Sequence, residues 1–103
     1  MNNPTEEELL ARVSVGPRVM QWQVDEAIVT TYYHVPPGTT LTLCVLTLAN
    51  GFTVTGESAC ASPANFDAEV GRHFALEDAK RKLWPLMGYA LREQLAAAAR
   101  AAG

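Results

Sequence analysis

The stretch TLTLCVLTLANGFTVTGE, residues 40–57, decides the fold that this sequence can adopt. Two runs rich in β-branched and apolar residues flank Asn50 and Gly51, and an Asn-Gly pair favours the two positive φ angles of a type I′ turn. The sequence therefore predicts a β-hairpin in which Ala49 pairs with Phe52. Its first strand is apolar on both faces. Because a two-stranded hairpin is marginal in water, a further layer or a second subunit must cover it.

Patterns before the hairpin predict two helical segments. Thr5 and Glu8 have the spacing of a capping box, so we expect a short helix that ends near Arg12. A Gly-Pro pair then breaks the chain. Residues 18–31 carry apolar side chains close to helical spacing, which predicts a second helix. The β-branched and aromatic run at residues 29–33 is the alternative signal, since there the helix could give way to extended chain.

Patterns after the hairpin predict two more helices. Ser62 and Asn65 are candidate caps for a helix that runs to about Lys82. The residue before a proline is pushed out of the α region, so Trp84 followed by Pro85 predicts a break. A last helix then ends in an alanine-rich run, which has a high helix propensity and is expected to fray at its end.

The predicted fold class is α+β, with two N-terminal helical segments, a β-hairpin and a C-terminal two-helix hairpin. With 103 residues, of which 49% are hydrophobic, the chain can form one domain around one core. We expect a single domain over residues 1–103, in which residues 1–16 form a mobile N-terminal helix and residues 96–103 fray.

Charge and composition argue against several classes of function. The net charge of −3 disfavours a surface that binds duplex DNA. No apolar run is long enough to cross a membrane, and the N-terminus lacks the basic and apolar regions of a signal peptide, so we expect a cytoplasmic protein. The cysteines, Cys44 and Cys60, form no Cys-x-x-Cys or His/Cys cluster, so neither a disulfide nor a metal site is predicted, and no cofactor is implied.

The segment over residues 44–91 resembles a family of small accessory proteins of tailed phages. The resemblance rests on LCVLTL at residues 43–48, NGFTVTGESAC at residues 50–60, PANFD at residues 63–67, GR at residues 71–72 and WPLMGY at residues 84–89. It implies a bacteriophage protein that acts inside the infected bacterium, in the host cytoplasm, and not in the virion shell.

A hairpin followed by two helices in 103 residues is also similar in architecture to the phage anti-defence sponges. Those proteins assemble as homo-oligomers and sequester nucleotide immune signals such as cyclic ADP-ribose isomers and cyclic oligonucleotides. The resemblance implies a nucleotide-binding homo-oligomer, a dimer or higher. It carries over no ligand-contacting residue.

Candidate ligand residues concentrate in the C-terminal part of the chain, where basic side chains could hold a phosphate and aromatic rings could stack on a base. They are Asn65, Phe66, Arg72, His73, Lys80, Arg81, Trp84, Tyr89 and Arg92. Each has a structural alternative, because acidic residues alternate with the cations and could pair with them on a solvated helix face. The aromatic rings could instead pack in the core. Phe66, Val70 and Phe74 in particular recur every four residues, as a buried ridge would.

Arg72 has two opposite interpretations. It shares one helical stripe with the small residues Ala68, Ala75 and Ala79. Its guanidinium could form a buried ion pair within the helix packing, or it could point into a pocket that binds an anion.

The resemblance to the sponges therefore implies a non-catalytic anti-defence protein that binds and sequesters a nucleotide immune signal. No pattern of Ser, Cys and His supports an enzyme, and no base is spaced to activate Cys60. The alternative is a protein–protein interaction module that inhibits or redirects a host protein. It would dock through the acidic N-terminal helix or through an exposed edge of the hairpin.

Overall fold

A computed structural model describes residues 3–13 and 16–103 of the chain. Its elements are α1 (Glu6–Val13), α2 (Gln21–Ala27), β1 (Ile28–His34), β2 (Leu41–Leu48), β3 (Thr53–Ala59), a 3-10 turn (Pro63–Asn65) and α3 (Ala68–Ala102). The strands form an antiparallel sheet in the order β1-β2-β3, and α3 packs across one of its faces. The predicted α+β class is confirmed.

The turn between β2 and β3 differs from the predicted one by one residue. The Gly51 N–H donates to the Leu48 carbonyl at 2.9 Å, and the Leu48 N–H donates to the Phe52 carbonyl at 2.8 Å. Of the two residues in the Asn-Gly pair, Gly51 alone has a positive φ, at 88°. Asn50 instead accepts a hydrogen bond from the Phe52 N–H through its Oδ1. The loop therefore has three residues, a type I turn followed by a bulge at glycine, and the predicted type I′ turn is wrong.

This shift changes every cross-strand partner in the hairpin. Leu46 pairs with Val54 and Cys44 pairs with Gly56. All four are buried on the face that α3 covers. The predicted register would have placed Val54 on the opposite face from Leu46, because a one-residue slip turns a strand over.

The predicted helix over residues 18–31 is half wrong. Helix α2 ends at Ala27, and the following residues form β1, which pairs with β2 along its second edge. The run of β-branched and aromatic residues from Val29 to Tyr33 prefers the extended backbone. The open edge of β2 supplies the hydrogen-bond partners that make a third strand more stable than a longer helix.

The predicted C-terminal helical hairpin is wrong, because α3 is one helix of 35 residues with Pro85 inside it. Proline removes one N–H from the helix ladder. That loss is offset because one continuous stripe of α3, formed by Ala75, Ala79 and Leu83, is buried on the sheet. The alanine run that was expected to fray is helical to Ala102.

The start of α3 also differs from the prediction. The Val70 N–H donates to Asp67 Oδ1 at 3.1 Å, so Asp67 caps the helix. The predicted caps, Ser62 and Asn65, belong to the preceding 3-10 turn. The predicted cap of the first helix is confirmed, because the Glu8 N–H donates to Thr5 Oγ1 at 3.1 Å.

Helix α1 buries none of its residues. The N-terminal segment that was predicted to be a mobile helix, residues 1–16, includes residues 1, 2, 14 and 15, which lie outside the described residues. No helix within residues 3–13 and 16–103 is long and apolar enough to span a membrane.

The sheet and α3 meet at unusually small residues. Gly56 of β3 lies directly beneath the backbone of Ala75 and Ala79, and both alanines are fully buried. Of the predicted small-residue stripe, these two alanines are in the interface, whereas Ala68 and Arg72 are exposed. Close approach of the helix to the sheet therefore depends on the absence of a side chain at residue 56.

Thr42→Val is expected to stabilise the protein. The Thr42 side chain is buried on β2 beneath Gly71, and its Oγ1 has no hydrogen-bond partner among the described residues. Valine keeps the shape of the side chain and removes an unsatisfied hydroxyl, which should raise the free energy of unfolding by about 1 kcal/mol. Urea denaturation measures this change. A loss of stability would show that the hydroxyl has a partner in solution.

Candidate functional site

The predicted ligand residues do not converge within one chain. Arg72 and Arg92 lie twenty positions apart on α3, which separates them by about 30 Å along the helix axis. The cations of α3 from Arg72 to Lys82 divide into two groups. One group faces β3, and the other faces β1 and α2.

The cations on the β3 side are neutralised by carboxylates of the same chain. Lys82 Nζ lies 3.4 Å from Asp78 Oδ2 and 3.8 Å from Glu57 Oε1, and Arg81 Nη2 lies 3.7 Å from Asp78 Oδ1. Arg81 therefore takes part in helical ion pairing, which was its structural alternative. Asp78 also accepts a hydrogen bond at 3.0 Å from the Glu57 N–H, which belongs to the edge strand β3.

The Asp78 contact predicts a pH dependence of stability. The hydrogen bond from the Glu57 N–H holds the pKa of the Asp78 carboxyl below its ordinary value of 3.8; burial opposes this effect, and Lys82 and Arg81 reinforce it. A depressed folded-state pKa contributes stability above the unfolded pKa, and that stability is lost as the pH falls through the folded pKa. Asp78→Ala should therefore destabilise the protein at pH 7 and cause a smaller loss near pH 3.

Urea denaturation of the Asp78→Ala variant at both pH values measures this difference. Glu77→Ala, the neighbouring exposed carboxylate without an ion pair among the described residues, is the matched control. We expect the control to lose the same small amount at both pH values. Equal destabilisation of the Asp78 variant at pH 3 and pH 7 would contradict the account.

The cations on the other side of α3 form a different arrangement, which we call the β1-side strip: Arg72, Lys80 and Tyr33. Burial raises the pKa of the Tyr33 hydroxyl, as does nearby Cys44, while Arg72 and Lys80 lower it. Both cations therefore act electrostatically on one hydroxyl. They lie eight residues apart on α3, about 12 Å along its axis.

The two cations of the β1-side strip differ in their partners. Lys80 Nζ lies 3.0 Å from Asp25 Oδ1 of α2, and its side chain is mostly buried. Arg72 is exposed and has no carboxylate within 4.0 Å in the described part of the chain. The interpretation of Arg72 as a buried ion-pair partner is wrong.

The β1-side strip has the chemistry of an anion site. A guanidinium donates two parallel hydrogen bonds to a phosphate or carboxylate, and an ammonium adds a point charge. The Tyr33 phenol is protonated at neutral pH, because its pKa lies above 10.0, so it can donate as well. Burial also raises the pKa of the Cys44 thiol beneath it, which keeps that thiol protonated. Within the described residues there is no cluster of three or more metal-ligating side chains.

Sequence patterns did not identify Tyr33 as a site residue. It falls at the weak boundary of the segment that was interpreted as a helix. A strand directs Thr31 and Tyr33 to one face and Thr30 and Tyr32 to the other, so each face carries one threonine and one tyrosine, and the sequence offered no signal that distinguishes Tyr33 from Tyr32.

The predicted aromatic residues lie in different environments. Trp84 is half-buried and packs against the core, as its structural alternative proposed. Tyr89 is 68% exposed.

The other predicted ligand residues of α3 lie apart from the β1-side strip. The His73 ring meets the Phe74 ring edge-on, with centroids 5.1 Å apart. Arg92 is exposed on the part of α3 that extends beyond the sheet.

The predicted buried ridge is wrong. Val70 is 51% exposed and Phe74 is 54% exposed, because they lie beside the stripe of α3 that is buried on the sheet and not within it. Asn65 and Phe66 lie close to both of them. Together these residues line a cavity of about 200 Å³ at the start of α3, on the β3 side. This cavity is separate from the β1-side strip and has no cation in its lining.

The fold defines a small α+β protein, and comparison with known families shows that it is a phage protein. Residues 19–95 of 103 match the phage protein (N4 Gp49/phage Sf6 gene 66) family, so the chain belongs to that family. The match includes the whole sheet, α2, and α3 as far as Leu95. No curated protein and no solved structure matches the chain.

This membership confirms the resemblance to small phage proteins. The matched range contains every motif on which that resemblance was based, and it contains all three residues of the β1-side strip. The similarity to the anti-defence sponges stays a prediction.

Proposed function

We propose that this phage protein binds and sequesters an anionic nucleotide signal of the host without converting it. Cyclic ADP-ribose isomers and cyclic oligonucleotides are the ligand classes that fit best, since both carry phosphates and a base or ribose surface. The setting would be the cytoplasm of the infected bacterium.

The observation that carries the proposal is the unpaired guanidinium of Arg72, which acts electrostatically on the same Tyr33 hydroxyl as Lys80. The other cation pairs at the centre of α3 are satisfied by Asp25, Asp78 and Glu57. Arg72 has no such partner among the described residues. An anion bound there would complete its hydrogen bonding.

The overall charge supports a localised site. With eleven acidic residues against eight Lys and Arg, the surface as a whole repels polyanions. A small phosphate-containing ligand can still bind at the unpaired guanidinium of Arg72, with the Tyr33 phenol as a further donor. This combination favours a nucleotide over a nucleic acid.

A homo-oligomer, a dimer or higher, is part of the proposal. The sheet face opposite α3 exposes Tyr32 at 60% and carries half-buried Leu41, Leu43 and Val45. The chain is a thin plate with extents of 58 × 47 × 17 Å and a radius of gyration of 17.9 Å, against about 13 Å for a compact domain of this length. A second subunit would cover the apolar surface that one copy leaves accessible.

A ligand panel tests the proposal. Thermal-shift and calorimetric measurements would use cyclic ADP-ribose isomers, cyclic dinucleotides and cyclic trinucleotides, with linear ADP-ribose and inorganic phosphate as controls. We expect saturable stabilisation by at least one cyclic nucleotide and none by phosphate at equal concentration. Stabilisation by no member of the panel would contradict the proposal.

The alternative function is docking on a host protein through α1. Its three glutamates, Glu6, Glu7 and Glu8, are exposed, and the helix buries no residue of its own. An affinity pull-down from bacterial lysate separates the two functions. One stoichiometric host protein, lost when residues 1–16 are deleted, would favour docking, and a co-purified compound that absorbs near 260 nm would favour sequestration.

A further inference from the structure

The two edges of the sheet differ in their contacts with the rest of the chain and in their residue composition. On the β3 edge, the Glu57 N–H is occupied by Asp78 of α3. The β1 edge, residues 29–34, has no Lys, Arg, Asp, Glu or Pro, which are the residues that proteins use to prevent strand pairing. All of its residues except Tyr33 are exposed. The β3 edge thus carries a charged residue and one occupied amide, whereas in the described part of the chain the β1 edge carries neither.

The hydrogen-bond pattern identifies the free groups on the open edge. The Leu48 N–H bonds Phe52 of the β3 side, so alternate residues of β2 direct their backbone groups to β3 and the residues between them to β1. This alternation also explains why the Glu57 N–H points outward to Asp78. It leaves the backbone N–H and C=O groups of Thr31 and Tyr33 directed away from β2.

We propose that β1 pairs antiparallel with β1 of a second copy, which joins two sheets into one of six strands and places two β1-side strips side by side. The strips would form one trough, with Arg72, Lys80 and Tyr33 contributed by each copy. The trough's role in binding rests on the proposed function, whereas the strand pairing does not.

The β1 edge favours a second copy of this chain as its pairing partner. A two-fold axis near Tyr32 would bond Thr31 of each copy to Tyr33 of the other, so both sets of free groups are satisfied by identical residues. The edge has no charge that would oppose its own copy. A two-fold axis also keeps both α3 helices on the same side of the joined sheet.

The trough formed by two β1-side strips fits a different class of ligand from the one that a single strip fits. Two unpaired Arg72 guanidiniums and two Tyr33 phenols, with the Asp25-paired Lys80 of each copy nearby, suit a nucleotide with two phosphate groups, such as a cyclic dinucleotide or a cyclic ADP-ribose isomer with its diphosphate. One copy offers half of these donors. We therefore expect one ligand for every two chains.

A proline on each edge tests the pairing. Thr31→Pro removes an outward N–H from the β1 edge, and Thr55→Pro removes the equivalent outward N–H from the β3 edge, so neither breaks a bond to β2. Light scattering after size exclusion should give at least twice 11.1 kDa for the unmodified protein, half that mass for Thr31→Pro, and no change for Thr55→Pro. A monomeric unmodified protein, or an unchanged mass in both variants, would overturn the pairing.

Hydrogen exchange on the unmodified protein decides the question if a proline variant fails to fold. We expect the amides of Thr31 and Tyr33 to be protected at high protein concentration and to exchange faster on dilution. Rapid exchange of both amides at every concentration would overturn the pairing.

Calorimetric stoichiometry separates the trough from the proposed function. One cyclic nucleotide per two chains, with binding weakened at least tenfold in Thr31→Pro, supports the trough. One nucleotide per chain with equal affinity in Thr31→Pro overturns the trough but leaves nucleotide sequestration intact. Absence of binding overturns sequestration and with it the trough, while mass and exchange still decide the pairing.

Discussion

Gly56→Ala is expected to unfold the protein or to lower its free energy of unfolding by about 3 kcal/mol or more. A Cβ at residue 56 would overlap the Ala75 carbonyl oxygen and the backbone nitrogen of Ala79. Because these are backbone atoms in a buried helix, no side-chain rotation can relieve the overlap, and α3 would have to move away from the sheet. Overpacking of this kind in a core costs about 1–3 kcal/mol even where side chains can adjust.

Urea denaturation followed by circular dichroism measures the effect. Gly88→Ala is the matched control, because an added Cβ there meets no atom within 4 Å and alanine favours the helix by about 1 kcal/mol. We expect the control to be slightly more stable than the unmodified protein. A folded Gly56→Ala variant of unchanged stability would show that α3 does not cross β3 at this glycine.

Arg72→Ala is expected to weaken nucleotide binding by about ten- to a hundredfold and to leave the melting temperature almost unchanged. A charge-assisted hydrogen bond to a phosphate contributes about 1.5–3 kcal/mol, and tenfold in affinity corresponds to about 1.4 kcal/mol. The melting temperature should stay almost the same because the Arg72 side chain is exposed and pairs with no carboxylate of the described chain.

Arg100→Ala is the control for this prediction. It removes an equally exposed guanidinium from the last turn of the same helix, far from Tyr33. Calorimetric titration and a melting curve of both variants suffice. A drop of several degrees in the Arg72 variant with unchanged affinity would show that its role is structural.

Part of the fold followed directly from local patterns. The capping pair at Thr5 and Glu8 and the two strands around the Asn-Gly pair depend on neighbours in sequence, and they were predicted correctly as elements. The turn type was wrong because two and three-residue loops share the same Asn-Gly signal, and the choice between them is made by the packing of Val54 and Gly56 under α3.

The remaining errors depend on tertiary contacts. The β-branched run at residues 29–33 favoured extended backbone locally, but the free edge of β2 was needed to decide for a strand. Helix α3 continued through Pro85 because its buried stripe is continuous on the sheet. The candidate site likewise combines residues that the sequence identified with a residue that only the tertiary structure identified. Arg72 and Lys80 were selected for their chemistry, but the tertiary fold was needed to show that both act electrostatically on Tyr33 and that Arg81 belongs to another group.

The most direct test of sequestration is the recovery of the ligand after binding. The purified protein would be mixed with a cyclic ADP-ribose isomer or a cyclic dinucleotide, separated from free ligand by size exclusion, and denatured, and the released compound would be measured by mass spectrometry. We predict that the ligand elutes with the unmodified protein, is released intact, and is absent from the Arg72→Ala fraction. Failure of every cyclic nucleotide to co-elute, or release of a hydrolysed product, would contradict sequestration without conversion.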